Sequence, residues 1–286
     1  MIKLAFLGAG STVFAKHLIG DCLHVEELRD MEVRLIDIDK QRLDDSKRMT
    51  ERLNDSLGGN LTIRATTDGR RGLDGADFVI NASQVGGYEP STAIDFEIPK
   101  KYGLRQTIAD TLCIGGIFRA LRTIPVMLRY CRTIEKYAPD AWLLNYTNPM
   151  ASITGAIQKA TEVKTVGLCH SVQGCAEHLC RQLDLPDDDI QSTIAGINHQ
   201  GWVLEITRHG KDLYPEIKRR AEKPEYKKKN AVRFEIMKRF GYFVTESSEH
   251  SAEYVPWFIK KDRPDLIDTF HIPLDEYPRR CVNQIE

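Results

Sequence analysis

The chain has 286 residues, of which 42% are hydrophobic and 28% are charged, proportions typical of a globular protein with enough material for a buried core. Its 40 Lys and Arg residues nearly match its 41 Asp and Glu residues, and the formal net charge is -1. This balance gives no electrostatic reason to expect a nucleic acid or an anionic membrane as a partner.

The cysteines and the N-terminal residues predict a reduced, intracellular environment. There are seven cysteines, an odd number, and they contain no C-x-x-C pair, so most should be free thiols in the core. The first apolar run ends at Gly8 and lacks the features of a signal peptide. No apolar stretch approaches the ~20 residues of a spanning helix. We therefore expect a cytoplasmic protein.

Short apolar runs alternate with helical patterns along most of the chain. The predicted strands are residues 2–7, 32–36, 61–65, 78–80, 142–146 and 163–168, and the clearest helical patterns between them cover 39–57 and 117–137. This alternation predicts an α/β fold with a doubly wound, Rossmann-type parallel sheet. From about residue 197 the pattern changes to a strand at 202–207 and a Lys/Arg-rich helix around 216–240. We predict a domain boundary between residues 195 and 196.

A dinucleotide site is predicted at the ends of the first strands. Gly8 and Gly10, followed by Ser11, lie between a strand and a helix, where backbone amides can face a pyrophosphate. The third glycine of the G-x-G-x-x-G motif is replaced, so the motif alone is weak. Asp37 ends the second strand, where a carboxylate can accept the ribose hydroxyls of NAD. With Asn81, these residues form the predicted NAD site of domain 1–195. The alternative is an ordinary turn beside a solvated Asp.

Three polar motifs follow predicted strands, at residues 145–149, 167–171 and 196–199. A doubly wound fold places its chemistry at the carboxyl ends of strands. The Cys169 thiolate and the His199 imidazole come from separate loops and could share one divalent ion. From spacing alone, a buried thiol and a structural histidine remain the alternatives.

The chain resembles glycoside hydrolase family 4 over essentially its whole length, at residues 8–11, 85–90, 145–150, 169–174, 196–199, 243–250 and 272–278. Within that family the sequence is most similar to the bacterial melibiase-type α-galactosidases. The resemblance implies a Rossmann-like domain followed by a partial α+β substrate and metal domain at 196–286, an architecture like that of lactate and malate dehydrogenases.

The resemblance also implies two cofactors, NAD and a divalent metal, usually Mn²⁺. Cys169 and His199 match the metal ligands, and Asn148 matches a contact to a substrate hydroxyl. The predicted catalytic residues are Asp110, in a loop facing the sugar, His170, as the acid that assists the leaving group, and Glu249 with His250, where relatives place a base.

The implied reaction is hydrolysis of melibiose-like α-galactosides without the usual pair of carboxylates. It proceeds by oxidation at C3, elimination between C1 and C2, addition of water and re-reduction. We expect a small galactoside as the substrate, and a homo-oligomer as the assembly.

The sequence departs from the family in two places. Cys113 and Ile114 replace the first two residues of a Gly-Pro-Gly-Gly loop, and the chain stops at Glu286, which predicts a shortened C-terminal end. Two alternatives remain, a lactate/malate-type NAD-dependent dehydrogenase and a truncated NAD-binding protein without catalytic activity. A phospho-glycosidase is disfavoured, because those relatives place basic residues where this chain has Glu249.

Overall fold

The computed structural model describes residues 1–228 and 230–285, which form two compact units. The first unit comprises Met1–Val85 and Ala120–Leu168, and the second comprises Gly86–Arg119 and Cys169–Glu286. The strands are β1 (Lys3–Leu7), β2 (Glu32–Ile36), β3 (Thr62–Thr66), β4 (Phe78–Asn81), β5 (Trp142–Asn145), β6 (Lys164–Gly167), β7 (Ile190–Ile197), β8 (Gln200–Arg208), β9 (Lys211–Asp212) and β10 (Phe243–Val244). The helices are α1 (Thr12–Leu23), α2 (Lys40–Ser56), α3 (Gly69–Leu73), α4 (Ala93–Lys101), α5 (Ile114–Tyr137), α6 (Met150–Ala160), α7 (Cys175–Gln182), α8 (Tyr214–Ala221), α9 (Pro224–Lys227), α10 (Ala231–Phe240), α11 (Ser248–Tyr254), α12 (Asp265–Thr269) and α13 (Glu276–Ile285).

The first unit is built on a six-stranded parallel sheet in the order β3-β2-β1-β4-β5-β6. The direction of winding reverses between β1 and β4, and a doubly wound fold binds its ligand at the carboxyl ends of strands next to such a reversal. The predicted doubly wound sheet is confirmed.

Helices cover both faces of this sheet, because successive side chains of a strand point to opposite faces. Phe6 packs on one side with residues of α1 and α2, and Leu7 packs on the other with residues of α5 and α6. Both side chains are almost completely buried. Burial of each such side chain contributes about 1.5–3 kcal/mol, so the two faces together fix the strands whose ends carry the dinucleotide loop.

The second unit contains a small antiparallel sheet in the order β10-β8-β7, with β9 paired to β8. Its core includes Val203 and Ile206 from β8, Leu179 from α7 and Phe243 from β10. The α+β region predicted to follow the parallel sheet is therefore present.

The compact units divide the chain elsewhere than at the predicted 195/196 boundary. Residues 86–119 and 169–195 belong to the second unit. Residues 169–195 include α7, which packs into the core of this unit, and most of β7, which pairs with β8. In residues 86–119, the amides of residues 107–109 donate to Glu253. The helix predicted over 216–240 is three helices, α8, α9 and α10, with α9 starting at Pro224. Proline lacks a backbone N–H and favours such a restart. Within the described residues, no helix combines the length and the apolar character needed to cross a bilayer.

Candidate functional site

The loop between β1 and α1 requires glycine at its first position. Gly8 has a φ of 79°, and a Cβ added there would lie 2.5 Å from the Cα atom of Ser83. A side chain would therefore clash with the backbone that follows β4. The sequence predicted glycine here because of an approaching phosphate, whereas the structure requires it for the approach of two loops of the same unit.

Asp37 organises this loop directly. Its Oδ2 atom accepts a hydrogen bond of 2.7 Å from the amide of Gly10, and its Oδ1 atom accepts one of 3.0 Å from the amide of Asp39. A Cβ at Gly10 would lie 2.7 Å from the same Oδ2 atom. An ionised carboxylate has about four lone-pair sites, so Asp37 can hold the loop and still accept ribose hydroxyls. The loop and the carboxylate fit a dinucleotide.

The other two predicted NAD residues lie beside this loop in different roles. Ser11 precedes α1, and its amide donates to the carbonyl of Gly8 at 3.0 Å. Asn81 is completely buried, and its side chain donates to Asn145 and accepts from Ser83. Asn81 therefore supports the ends of β4 and β5 through its side chain.

A cluster of titratable side chains lies in the second unit around His199. This histidine occupies the tip of the β7–β8 hairpin with a φ of 63°, a conformation that few residues other than glycine adopt. Side chains of His250, Glu246, Cys169 and Asp110 surround it. His199 and Asp110 are each only 7% exposed. Strained backbone that holds a buried imidazole among carboxylates is typical of a functional site.

The Nδ1 atom of His199 faces two hydroxyl groups, 2.9 Å from Thr111 Oγ1 and 3.1 Å from the Tyr254 hydroxyl. Both hydroxyls donate to Oδ1 of Asp110, at 2.9 Å and 2.8 Å. Because the hydroxyl protons go to the carboxylate, the network is satisfied when Nδ1 carries a proton and donates to the hydroxyl oxygens. The lone pair of the neutral ring is then on Nε2.

The Nε2 side of His199 faces potential metal ligands. Oε2 of Glu246 lies 3.4 Å from Nε2, and the Cys169 sulfur, a His199 ring nitrogen and a Glu246 carboxylate oxygen lie within 4.8 Å of one another. A metal-binding histidine commonly donates its second ring nitrogen to a polar partner, as Nδ1 does here. Thiolate, imidazole and carboxylate together fit a divalent transition metal.

Neighbouring groups shift the pKa values of this cluster. Burial alone would raise the pKa of Cys169, but hydrogen bonds from the protonated His199 ring and from Ser171 outweigh it and lower this pKa to about 7. Burial would lower the pKa of His199, but the thiol and nearby carboxylates raise it above its ordinary value. Burial would also raise the pKa of Asp110, but the hydrogen bond and charge of His250 hold it well below its usual range. The cluster therefore favours a thiolate and an ionised carboxylate.

His250 is engaged at both ring nitrogens. Nδ1 lies 2.8 Å from the hydroxyl of Ser247, and Nε2 lies 3.8 Å from Oδ1 of Asp110. Burial lowers the pKa of His250, but the hydrogen bond and charge of Asp110 outweigh it and raise this pKa above its ordinary value. Asp110 thus favours the protonated form of His250.

The remaining predicted residues lie outside this donor group. His170 follows Cys169 directly and is exposed. Glu249 is half-buried and belongs to neither group of potential metal ligands, and its carbonyl accepts from Thr107 Oγ1 at 2.7 Å. Asn148 lies in the first unit between β5 and α6, where its Oδ1 atom accepts from the amide of Met150.

Four polar residues of the site were not singled out from the sequence: Thr111, Asn198, Glu246 and Tyr254. Asn198 and Glu246 lie in the motifs at residues 196–199 and 243–250. Tyr254 follows His250 at i+4, a spacing that places two side chains on one face of a helix. In the described part of the chain, the buried amide of Asn198 has no hydrogen-bond partner for either Oδ1 or Nδ2. Such an amide costs free energy unless a ligand satisfies it.

The loop at residues 113–116, where a departure from the family is predicted, lies near the half-buried carboxylate of Glu253. Glu253 accepts hydrogen bonds from the amides of Thr107, Ile108 and Ala109, and the Cys113 sulfur lies 3.8 Å from its Oε1 atom. Burial and the charge of Glu253 raise the pKa of the Cys113 thiol well above its usual range. This cysteine is therefore a neutral packing residue.

Two family profiles match the chain, family 4 glycosyl hydrolase over residues 3–185 and the family 4 glycosyl hydrolase C-terminal domain over residues 194–286. The chain belongs to glycosyl hydrolase family 4. It is 58% identical to an α-galactosidase of Bacillus subtilis (strain 168) over 287 aligned positions, covering 100% of this chain and 66% of that protein. It is 40% identical to an α-galactosidase of Rhizobium meliloti (strain 1021), covering 93% of this chain and 54% of that one. The chain thus spans less than two thirds of the length of these relatives.

Solved structures share the fold of this family 4 chain. A 6-phospho-α-glucosidase from gut microorganisms, solved with NAD and Mn²⁺, matches with a TM-score of 0.76 at 22% identity, covering 98% of this chain and 67% of that one. A malate dehydrogenase of Plasmodium falciparum matches with a TM-score of 0.58 at 15% identity, covering 88% of this chain and 75% of that one. The predicted resemblance to the architecture of malate dehydrogenase is confirmed.

Proposed function

We propose that this family 4 chain acts in the hydrolysis of α-galactosides, using NAD and a divalent metal such as Mn²⁺. The observation that carries the proposal is the group formed by the buried His199 with the half-buried Cys169 and Glu246, because it offers a metal three donors of different kinds. Both curated relatives compared above are α-galactosidases, and a solved structure of the same fold contains both cofactors. A dehydrogenase of the malate type would have no use for the thiolate as a ligand.

Each cofactor has residues that fit it in this chain. Gly8, Gly10 and Asp37 would hold NAD, and Cys169 with His199 would hold the metal. When bound, NAD supplies a hydride acceptor for C3 of the sugar and the metal supplies a Lewis acid, the functions that oxidation, C1–C2 elimination, water addition and re-reduction require.

The side chains around the metal residues have separate tasks. Asp110 fixes the protons of the Thr111 and Tyr254 hydroxyls and thereby keeps the lone pair of His199 on Nε2. This role makes Asp110 a positioning residue, and the catalytic role predicted for it from the sequence stays a proposal. His250 holds a proton between the carboxylate of Asp110 and the hydroxyl of Ser247.

The further assignments rest on the resemblance alone. His170 as the acid, Glu249 or His250 as the base, and Asn148 as a contact to a substrate hydroxyl stay proposals. The homo-oligomer and the cytoplasmic location also stay predictions. Light scattering on the purified chain would measure the oligomeric state.

Hydrolysis of p-nitrophenyl α-galactoside by the purified chain, under reducing conditions, tests the proposed function. We expect nitrophenol release only when NAD and Mn²⁺ are both present, and no release from the β-galactoside. NADH should not accumulate, since the hydride returns to the sugar. Net NADH formation from a hydroxy acid would instead support the dehydrogenase, and NAD binding without any turnover would support the non-catalytic alternative.

A further inference from the structure

The carboxylate of Glu246 is buried beside His199 with one oxygen unsatisfied. Its side chain is 14% exposed, and its Oε1 atom accepts a hydrogen bond from the amide of Ser247 at 3.2 Å. Its Oε2 atom is buried and, within the described residues, makes no hydrogen bond. The nearest positive group is His199, whose Nε2 atom lies 3.4 Å away and carries a proton only when the ring is charged. A buried carboxylate oxygen that makes no hydrogen bond costs substantial free energy, so its position favours a ligand that supplies positive charge.

The spacing of the donors suits a single ion. The Cys169, His199 and Glu246 donor atoms lie within 4.8 Å of one another. Metal bonds of about 2.0–2.3 Å to nitrogen, oxygen and sulfur place two ligands of one ion up to roughly 4 Å apart. Small side-chain adjustments would therefore bring all three donors onto one ion.

A second donor group shares His199 and includes Asp110 and His250, but it is less suited to a metal. Oδ1 of Asp110 already accepts hydrogen bonds from two hydroxyls, which in turn face Nδ1 of His199. A metal at this nitrogen would break the network that fixes the ring. The Nε2 side, with its unsatisfied carboxylate oxygen, is favoured.

We propose that Glu246 is a third protein ligand of the metal, in addition to Cys169 and His199. This inference rests on the proposed function, since it concerns the same metal. Its consequence concerns charge: a thiolate and a carboxylate together balance a divalent cation. The protein alone should therefore hold the ion before NAD or a sugar binds, and it should do so through Glu246.

Binding of Mn²⁺ to the full 286-residue chain tests this inference, measured by electron paramagnetic resonance after EDTA treatment, without NAD or sugar. Even the loss of a residue that supports a metal ligand weakens metal binding about 10–100-fold, so Glu246→Gln should weaken Mn²⁺ binding at least about tenfold. Glu246→Asp keeps a carboxylate and should fall between this variant and the wild type. Glu222→Gln, the matched control, removes the same charge from an exposed ion pair with Lys238 and should bind Mn²⁺ as the wild type does.

Co²⁺ provides a readout that a general structural defect would not reproduce. In Glu246→Gln the thiolate-to-cobalt absorption should persist while the ligand-field bands change, and in Cys169→Ser the thiolate absorption should disappear. Unchanged Mn²⁺ affinity in Glu246→Gln, or no Mn²⁺ binding by the wild type, would overturn the inference. If Glu246→Gln does not fold, equal affinity of Glu246→Asp and wild type would also overturn it.

Galactoside hydrolysis by the wild type, measured in parallel, separates the two proposals. Turnover that depends on NAD and Mn²⁺, with unchanged metal affinity in Glu246→Gln, contradicts only the assignment of Glu246. Mn²⁺ binding that requires Glu246, without turnover of any galactoside, contradicts only the proposed function.

Discussion

The dinucleotide loop and the metal cluster are two sites built in different ways. The loop at residues 8–11 is made of backbone amides at the end of β1, and one side chain, Asp37, completes it from the neighbouring strand. The cluster is made of side chains that converge from positions between 110 and 254. A backbone site depends on sheet topology and glycine, whereas a side-chain site depends on the identity of each contributing residue.

The difference predicts unequal sensitivity to substitution. In the loop, a lost contact leaves neighbouring amides that can still bind an anion. In the cluster, Oδ1 of Asp110 accepts from two hydroxyls and His199 contacts both of them, so removal of one group leaves buried partners unsatisfied. Substitutions in the cluster should therefore lower hydrolysis by a larger factor than substitutions in the loop lower NAD affinity.

Cys169→Ser should have the largest effect. A neutral hydroxyl replaces the thiolate that balances the metal charge. Loss of a residue that only supports a metal ligand already lowers metal affinity or activity about 10–100-fold. Loss of a ligand should therefore lower the rate of Mn²⁺-dependent hydrolysis of p-nitrophenyl α-galactoside at least about 100-fold. The control is Cys22→Ser, which makes the same change at a half-buried cysteine on α1. Equal activity of Cys169→Ser and Cys22→Ser would show that the thiolate is not a ligand.

Asp37→Ala should have a smaller effect that is confined to NAD. The substitution removes the acceptor of the Gly10 amide and of the ribose hydroxyls. A hydrogen bond to a charged group contributes about 1.5–3 kcal/mol, so NAD affinity should fall about tenfold or more. Isothermal titration with NAD measures this loss, and Mn²⁺ affinity should stay unchanged.

The control for this experiment is Asp44→Ala, which removes the same charge from an exposed ion pair with Lys40 on α2. Surface pairs of this kind contribute about 0–1 kcal/mol, so NAD affinity should hardly change. A comparable loss of NAD affinity in both variants would mean that net charge, and not the position of Asp37, decides binding.

The sequence allowed prediction of what depends on local pattern. The strand ends at Gly8, Asp37 and Cys169 follow from alternating apolar runs, and the parallel sheet is confirmed. The prediction of one helix over residues 216–240 was wrong. The helical pattern of the sequence continues through Pro224, where the structure starts a new helix. Local pattern identifies elements better than their interruptions.

The sequence did not allow prediction of roles that depend on long-range contacts. Asp110 carries the polar character of a catalytic residue, but only its contacts with Tyr254, 144 positions away, show that it orients hydroxyls. Asn81 was predicted to bind the cofactor, which stays a prediction, and only the structure shows that its side chain donates a hydrogen bond to Asn145. Glu246 lies in the motif at residues 243–250, but its position beside His199 is known only from the structure.

Alkylation of cysteines at different pH values tests the smallest expected effect. The hydrogen bonds from His199 and Ser171 outweigh burial and lower the pKa of Cys169 to about 7, so the thiolate should form as the pH rises through that value in metal-free protein. An ordinary cysteine has a pKa of about 8.5 and is only slightly ionised at pH 7. Because a thiolate of lower pKa is also a weaker nucleophile, the rate advantage of Cys169 at neutral pH should be only about threefold. Iodoacetamide labelling of the EDTA-treated chain, followed by mass spectrometry of the peptides, measures this rate.

Cys113, whose pKa is raised by burial and the charge of Glu253, is the internal control and should remain unlabelled. His199→Ala should move the midpoint of Cys169 labelling to higher pH, because it removes the hydrogen bond that favours the thiolate. A midpoint near the ordinary cysteine value in the wild type would mean that burial dominates, and the cluster would then lack the thiolate on which its difference from the dinucleotide loop depends.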